Sequence, residues 1–387
     1  MIAATIVATT IYLLLTIAAL LSIISPVLQS LSSHGKTRLS LNNNECKNKI
    51  THTHHKILQR LQHFVLTSPI LTVNKCRFID FYATGIITTI LLVLLAHASA
   101  LDGDNRSILQ WSDVSLSAKN HNYYHRWSMM IPTLLLLTHL IRRYFECEWV
   151  QKSSSSSQMH LAGYLLGILH YICLPIVLVP LPPYSHYDYD VTCTRSDAYA
   201  VSSNPGVKSN EEVCDTNSSF DSNQYTSTQI IVDITAIIGC IYFQYQQHRH
   251  HVILANIRKD TKTESTQYAI PIGGWFEYTS CPHYFSEIMI YFMFAILLNN
   301  KHTIPVATSE SEAWFAEWNN KYLNIQSTLF VASTYTVITM YKLKHWILLV
   351  WVTTNLSISA NTTHKWYIHN YGATYPQRRR RLIPFVW

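Results

Sequence analysis

The sequence is short of charged residues, glycines and paired cysteines, and each shortage argues against a class of protein. Charged residues make up only 13% of its 387 residues, about half the share usual in soluble domains. Ten glycines, with no GxGxxG pattern among them, argue against a soluble Rossmann-type domain. Eight cysteines without CxxC spacing indicate neither a zinc ribbon nor a disulfide framework. What is plentiful is apolar sequence, at 48% hydrophobic residues, which is typical of a membrane protein.

Long apolar runs predict an all-α integral membrane bundle of about seven transmembrane helices. The predicted spans cover about 1–28, 79–100, 127–141, 160–182, 228–246, 284–299 and 326–354. The first run has no charged side chain, no basic flank and no small-residue cleavage site, so we interpret it as a membrane helix and not as a signal peptide. Lys342 and Lys344 interrupt the last run, and a bend is expected there.

The distribution of charge predicts the orientation of the bundle. The formal net charge is +7, but the basic residues form short clusters beside apolar runs and no continuous surface, so nucleic acid is not an expected partner. Segment 34–77 is basic, with Glu45 as its only acid, and is predicted to face the cytosol. Acidic loops with glycosylation patterns at Asn105 and Asn217 are predicted to be luminal. The N-terminus is therefore expected in the lumen and the C-terminus in the cytosol.

Three regions follow from this pattern: a first helix with a basic segment at 1–78, four further helices at 79–246, and a motif-rich C-terminal region at 247–387. The predicted luminal loop at 184–227 holds Cys193 and Cys214, which could form a disulfide in an oxidising compartment.

Polar chemistry is densest between residues 247 and 287. Gln247, His251 and Arg258 recur at intervals of four and seven, which places them on one face of a helix. Pro271 and Gly273-Gly274 cannot continue that helix, so a loop is predicted there.

The next apolar run opens with a second polar group. His283 and Glu287 stand four residues apart beside Tyr284, directly after Pro282. Imidazole, phenol and carboxylate are therefore predicted to lie together at a membrane boundary.

Three C-terminal stretches carry a family resemblance. HHVILANIRK at 250–259, IPIGGWFEYTSCPHYFSE at 270–287 and YPQRRRRLIPFVW at 375–387 resemble the signature of the steroid 5α-reductase family, most closely its polyprenol reductase branch. VNKCRFIDFY at 73–82 and HLIRRYFECEWV at 139–150 support the likeness more weakly. The resemblance implies an oxidoreductase of the endoplasmic reticulum membrane that uses NADPH to saturate the α-isoprene double bond of a polyprenyl lipid, on the route to dolichol and protein N-glycosylation.

The resemblance also implies where NADPH is held, near the cytosolic mouth of the helical bundle. The implied cofactor contacts are Arg143, Gln247, His251, Arg258, Tyr268, His283, Glu287, His364, Tyr367 and Arg379. Lys259 is a further cation placed to bind a phosphate. No metal site is expected, because the histidine clusters at 52–55 and 248–251 lack accompanying carboxylates or cysteines at fixed spacing.

The chemistry favours an aldehyde substrate over an alcohol. Hydride addition to an isolated alkene leaves negative charge with no group to hold it, whereas an α,β-unsaturated carbonyl places that charge on oxygen. In steroid-reducing relatives a tyrosine helps to hold this oxygen, but its place here aligns with Leu140. His139, Tyr144 and Tyr284 are therefore the candidate donors to the carbonyl.

Alternative functions remain open at this point. A steroid reductase or an enoyl thioester reductase would share the cofactor site, although steroid-reducing members have Asp at His251, Asn at His283, and Arg at Ala269 and Ser359. A methyltransferase acting on prenylated cysteine would bind S-adenosylmethionine instead. A seven-span receptor or carrier would leave the motif at 247–287 unexplained. The expected partners are the polyprenyl substrate and the bilayer, with no obligate protein partner evident.

Overall fold

The described part of the chain is an arrangement of long helices. The computed structural model describes residues 2–24, 72–102, 116–151, 158–179, 227–260, 269–299 and 328–387. Within these ranges lie seven helices of 18 residues or more. They are α1 (Ile2–Ile24), α2 (Phe78–Asp102), α3 (Leu116–Phe145), α4 (Leu161–Leu178), α5 (Ser227–Asp260), α6 (Pro282–Asn299) and α7 (Thr328–Tyr371). The all-α architecture is confirmed.

Short elements lie at the ends of these helices. A two-stranded antiparallel sheet pairs β1 (Thr72–Asn74) with β2 (Gln158–His160). Three 3₁₀ turns cover Lys75–Arg77, Gly274–Glu277 and Gly372–Thr374, and a π-helical turn, Glu146–Val150, extends α3. The Asn74 and His160 side chains cap the elements that follow them by accepting hydrogen bonds from the N–H groups of Cys76 and Ala162. The sheet thereby joins the starts of α2 and α4.

Four of the described helices are long and apolar enough to cross a bilayer. These candidate spans are Ala4–Leu21, Lys75–Ala96, Leu161–Leu178 and Ser227–Ile257. Their outward side chains include Leu14, Leu95 and Ile231, each about 60% exposed, which a lipid environment would cover. The chain is therefore a multi-pass membrane protein by the character of these helices.

Inward-facing side chains hold the helices together. Tyr12, Leu140, Leu174 and Ile290 come from four different helices and are essentially fully buried in one core. α5 packs along α6, α1 packs along α7, and α2 packs against α4. The last contact depends on Gly167, where an added Cβ would come within 2.5 Å of the Phe81 ring.

The last helix differs from its sequence prediction. The predicted apolar span ends near 354, but α7 continues without interruption through Lys342 and Lys344 to Tyr371. At about 1.5 Å per residue its 44 residues extend roughly 66 Å, twice the thickness of a bilayer core. Lys344 is accommodated because its ammonium lies 4.1 Å from the centre of the Tyr341 ring, a cation–π contact. The two lysines therefore do not end the helix.

Candidate functional site

A buried ionic network joins the end of α3 to α5, and we call it the arginine cluster. Its members are Arg142, Arg143, Glu146, Gln247, His248 and His251. The two arginines stand in the last turn of α3, and Glu146 follows three and four residues later, so one helical face presents all three charges. The other three members, Gln247, His248 and His251, lie within about one turn of the facing helix, α5.

Glu146 is the centre of this cluster. Only 2% of its surface is exposed, and one oxygen lies 2.5 Å from Nη1 of Arg143 while the other accepts a hydrogen bond from Arg142. Nδ1 of His251 and Nδ1 of His248 lie 2.6 Å and 2.8 Å from its two oxygens. Burial raises the pKa of Glu146, but hydrogen bonding to His251 and the charges of the arginines outweigh burial, so its pKa lies well below the usual range. The carboxylate is therefore ionised.

Arg143 is held by a second partner from α2. Its Nε and Nη2 donate to the Tyr82 hydroxyl oxygen at 3.1 and 2.7 Å, and its guanidinium lies 5.0 Å from the ring centre. Sequence reasoning did not single out Tyr82, although it ends the VNKCRFIDFY stretch that supports the family likeness.

A second part of the network reaches farther along α6. Arg142 donates to Oε1 of Gln247, whose amide donates in turn to Glu287. Glu287 Oε1 lies 3.5 Å from Nε2 of His139, and Nδ1 of His139 lies 3.4 Å from Nη2 of Arg142. These four side chains form a closed ring that links α3, α5 and α6.

The ring assigns the protonation of His139. An arginine can only donate, so Nδ1 of His139 accepts and the proton of the neutral imidazole sits on Nε2, directed toward Glu287. Because His139 is only 1% exposed, this N–H is a buried donor beside a carboxylate.

The other two predicted donors lie elsewhere. Tyr144 packs on the apolar core and stacks edge-on against Phe145. Tyr284 packs with Cys281, Ala360 and Leu382, and its ring lies 4.2 Å from His283. Of the three candidates, only His139 is a member of the ring.

A second polar group, which we call the tail cluster, contains Ser280, His364, Tyr367, Tyr375 and Arg379. The Ser280 hydroxyl lies 2.6 Å from Nδ1 of His364 and 2.5 Å from the Tyr375 hydroxyl. Tyr367 stacks on Tyr375 with ring centres 5.3 Å apart, and Arg379 lies over the other ring at 5.5 Å. Burial and the charge of Arg381 lower the pKa of His364, which favours its neutral form.

Backbone hydrogen bonds fix the tail against the loop before α6. The N–H of Arg380 donates to the carbonyl of Tyr278, and the N–H of Ser280 donates to the carbonyl of Arg380, both at 2.8 Å. Thr279 and Arg380 form a parallel bridge. This pairing turns Arg379 inward, to 3% exposure, while Arg378 and Arg380 face outward.

His283 lies beside the arginine cluster. Its ring is 5.6 Å from that of His251 in the arginine cluster and 6.3 Å from that of Phe276. Segments near residues 143, 250, 283, 364 and 379 are thus assembled at one end of the bundle.

Some predicted residues lie outside what the structure describes. Tyr268, Asn105, Asn217, Cys193 and Cys214 fall outside the described residues. Arg258 and Lys259 lie in the last turn of α5, with side chains beyond those described.

Besides Tyr82, three site residues escaped sequence reasoning, and each had a local signal. Glu146 follows Arg142 and Arg143 at ion-pair spacing. Ser280 and Tyr375 lie within the quoted family stretches, but their partners are 84 and 95 residues away along the chain. Only the fold could pair them.

The residues present fit a phosphorylated nucleotide. Nε and Nη1 of Arg379 are buried without a hydrogen-bond partner among the described residues, and Arg379 makes no ion pair with any of them. A buried guanidinium lacking an anion is a suitable contact for phosphate. No group of three or more His, Cys, Asp or Glu side chains able to hold a metal is found in the described ranges.

The chain is thus a helical membrane protein. Its buried, charged site lies at one end of the bundle and is enclosed by the helices. The family model that matches it is described as 3-oxo-5-alpha-steroid 4-dehydrogenase and covers residues 215–325 and 327–387. The resemblance seen in the sequence is thereby confirmed: the C-terminal part of the chain is similar to the steroid 5α-reductase family, a family of oxidoreductases.

Similar proteins share the name polyprenal reductase. Polyprenal reductase 1 of Oryza sativa subsp. indica is 28% identical over 341 residues, covering 81% of this chain and 80% of that protein. Polyprenal reductase of Drosophila melanogaster is 24% identical over 324 residues, 82% of this chain and 77% of its own length. Polyprenal reductase of Danio rerio is 24% identical over 327 residues, which cover 82% of this chain and 80% of that protein. The likeness therefore extends well upstream of the C-terminal motifs.

Proposed function

We propose that this protein is an NADPH-dependent polyprenal reductase of the endoplasmic reticulum membrane. It saturates the α-isoprene double bond of a long polyprenal, and its product supplies dolichol for protein N-glycosylation. The relatives named polyprenal reductase support the substrate class. The observation that carries the proposal is the ring of His139, Arg142, Gln247 and Glu287 inside an otherwise apolar bundle.

The ring suits the polarisation of an enal. Nε2 of His139 makes no hydrogen bond with a described residue, since Glu287 lies 3.5 Å away, and Arg142 lies at the other ring nitrogen, so the Nε2–H is available to donate to the aldehyde oxygen. The nearby carboxylate of Glu287 favours positive character on the imidazole as charge develops on the substrate oxygen. An allylic alcohol has no carbonyl to polarise, which is why the aldehyde is the proposed substrate.

Both clusters contribute to holding the cofactor. Arg379 and the neutral His364 of the tail cluster would bind phosphate and ribose groups, and the cations of the arginine cluster would add positive charge nearby. When bound, NADPH supplies the hydride. The buried position of the ring keeps water from the polarised carbonyl.

Bundle and site together imply a topology. We infer seven spans with a luminal N-terminus and a cytosolic C-terminus, so that the end carrying both clusters opens to cytosolic NADPH. The polyprenyl chain enters between helices from the bilayer, since its apolar tail has no reason to leave lipid.

Product analysis tests the proposal. Purified protein in detergent is incubated with NADPH and, separately, polyprenal, polyprenol or a 3-oxo-4-ene steroid, and products are measured by mass spectrometry. A two-hydrogen gain on polyprenal alone is expected. Gain on polyprenol without an oxidase would contradict the aldehyde mechanism, gain only on the steroid would assign the steroid-reducing branch, and no gain on any substrate would reject reductase activity.

The role of the ring has its own control. Glu287→Gln is expected to reduce polyprenal turnover at least 100-fold, because removal of a group that orients a catalytic donor costs factors of this order. Glu148→Gln removes an exposed carboxylate outside the ring and should retain most activity.

A further inference from the structure

One buried polar pair in the bundle has no part in the ring or in either cluster. Nε2 of His170, on α4, lies 3.4 Å from the hydroxyl of Tyr291, on α6. Nδ1 of the same imidazole is buried without a hydrogen-bond partner among the described residues. A buried imidazole nitrogen without a partner is costly, so its retention calls for a reason.

The pair stands next to the proposed reaction site. Tyr291 follows Glu287 by four residues on α6 and therefore lies on the same helical face, one turn farther into the bundle. It is 4% exposed and belongs to the main apolar core with Ile290 and Phe294. A hydroxyl proton is thus available about one turn beyond the carboxylate that orients His139.

The backbone beside His170 is also fixed. The Tyr12 hydroxyl of α1 donates to the carbonyl oxygen of His170 at 3.0 Å, and the Tyr12 and His170 rings meet edge to face at 5.6 Å. Tyr171, the next residue, packs its ring at 5.0 Å from that of His170. The imidazole is therefore held toward Tyr291 by three helices, α1, α4 and α6.

The proposed reaction leaves one need unmet. Reduction of an enal adds a hydride at the β-carbon and requires a proton at the α-carbon, and the ring holds the oxygen only. Three tyrosines among the described residues interact electrostatically with Glu287: Tyr82, Tyr171 and Tyr291. The Tyr82 hydroxyl is engaged by two Arg143 nitrogens, and Tyr171 is hydrogen-bonded to Tyr82. Tyr291 has only the long contact to His170, and it lies on the same face of α6 as Glu287.

We propose that Tyr291 gives the proton to the α-carbon and that His170 is its positioning residue. This inference rests on the proposed function. As the enolate collapses, the O–H bond of Tyr291 breaks and a C–H bond forms at the α-carbon. With its proton on Nε2, His170 donates to the Tyr291 oxygen throughout, which leaves the hydroxyl proton free to transfer and stabilises the resulting tyrosinate. The tyrosinate regains its proton from water after product leaves, so each turnover consumes one hydride equivalent and one proton.

The test compares Tyr291→Phe with Tyr245→Phe, an exposed tyrosine on α5. Turnover of polyprenal with NADPH is measured in D₂O, and the face of the α-carbon that receives deuterium is determined by NMR of the product. Tyr291→Phe should lower kcat about 100-fold, the usual contribution of a general acid. Deuterium should then enter from both faces, since water replaces the tyrosine, while Tyr245→Phe keeps wild-type rate and a single face.

His170 has matched variants of its own. His170→Gln keeps a polar group near the Nε2 position and should retain part of the rate, whereas His170→Leu should approach the Tyr291→Phe rate. The Kd of NADPH, measured by fluorescence titration, should stay within about twofold of wild type in every variant, which shows that the fold and the cofactor site persist.

Two results overturn the inference in distinguishable ways. If wild type reduces polyprenal and Tyr291→Phe keeps its rate and labels one face, the proton comes from elsewhere while the proposed function stands. If wild type reduces none of the three substrates, the proposed function fails and the role of Tyr291 fails with it. A weaker Kd for NADPH that accounts for the whole loss of rate would make Tyr291 a structural residue.

Discussion

Glu146 shows how much of the site depends on one side chain. It is the only carboxylate among the described residues that ion-pairs with Arg142 and Arg143, and it also contacts two histidines of α5. A buried charge of this kind destabilises the fold unless an opposite charge pairs with it. Removal of one partner therefore leaves the others buried without a counter-ion.

Glu146→Gln should therefore lower stability by roughly 3 kcal/mol, because two buried guanidinium groups lose their anion. The measurement is thermal unfolding of purified protein in detergent. Glu148→Gln, an exposed carboxylate two residues away, is the matched control and should change little. Equal melting temperatures for the two variants would contradict the role given to Glu146.

The difference in stability between wild type and Glu146→Gln is expected to depend on pH. The folded pKa of Glu146 is lower than its unfolded pKa of about 4.3, so its stabilising effect is fully present above that unfolded value and is lost as pH falls toward the folded one. The difference in melting temperature between wild type and Glu146→Gln should stay constant from about pH 8 to 6 and shrink below about pH 4.

Arg379 and Arg378 are neighbours with opposite environments, one buried and one exposed. Arg379→Gln should weaken NADPH binding roughly 10- to 100-fold, because a charge-assisted hydrogen bond contributes about 1.5–3 kcal/mol. Arg378→Gln should leave the Kd within about twofold. Fluorescence titration with NADPH measures both, and equal losses would mean that the tail contributes only general positive charge.

At the scale of elements, the loop between α5 and α6 decides how the two clusters meet. Gly273 adopts φ 96° and ψ 158°, a region that essentially only glycine occupies, and Gly274 adopts φ 56°. The N–H of Gly273 donates to the Glu277 carboxylate at 2.7 Å, which closes the turn. His250 packs its ring 5.3 Å from Trp275 in the same turn.

Gly273→Ala should therefore destabilise the protein by about 1–3 kcal/mol. Gly274→Ala should cost less, about 1 kcal/mol, since its left-handed φ is tolerated better and the new Cβ would meet His250 and Ile253 at an ordinary 3.6 Å. Melting temperatures of the two variants give the comparison. A larger loss at Gly274 would show that packing against His250, and not backbone conformation, controls the turn.

At the scale of the whole molecule, both clusters lie at the ends of α3 and α7 and the start of α6, so one end of the bundle carries the polar chemistry. α7 links the core to that end, because it packs along α1 and continues to His364 and Tyr367. The orientation of the bundle in the membrane therefore decides which compartment this polar end faces.

Glycan mapping tests the orientation. Expressed in eukaryotic cells, the protein should lose a mass step on endoglycosidase treatment, and Asn105→Gln and Asn217→Gln should each remove part of that step. Asn361→Gln should change nothing, because Asn361 lies within α7 beside the tail cluster with Oδ1 buried. A glycan at Asn361 would invert the proposed orientation.

The sequence by itself predicted a helical membrane protein, most of its long helices and the segments that carry the two polar clusters. Apolar runs and helical spacing are local properties, so α2, α4 and α5 follow closely from the pattern, as does the loop at Pro271. α7 was the exception, because contacts such as that of Lys344 with Tyr341 cannot be read from hydropathy.

Only the tertiary structure decided which side chains act together. Glu146 meets His251 across 105 residues, Tyr82 meets Arg143 across 61, and His170 meets Tyr291 across 121. Hydrogen bonds and ion pairs depend on distances of a few ångströms between helices, and those distances are set by how apolar faces pack around the core. A pattern along one helix indicates which face turns inward, while its partner depends on the packing of the whole bundle.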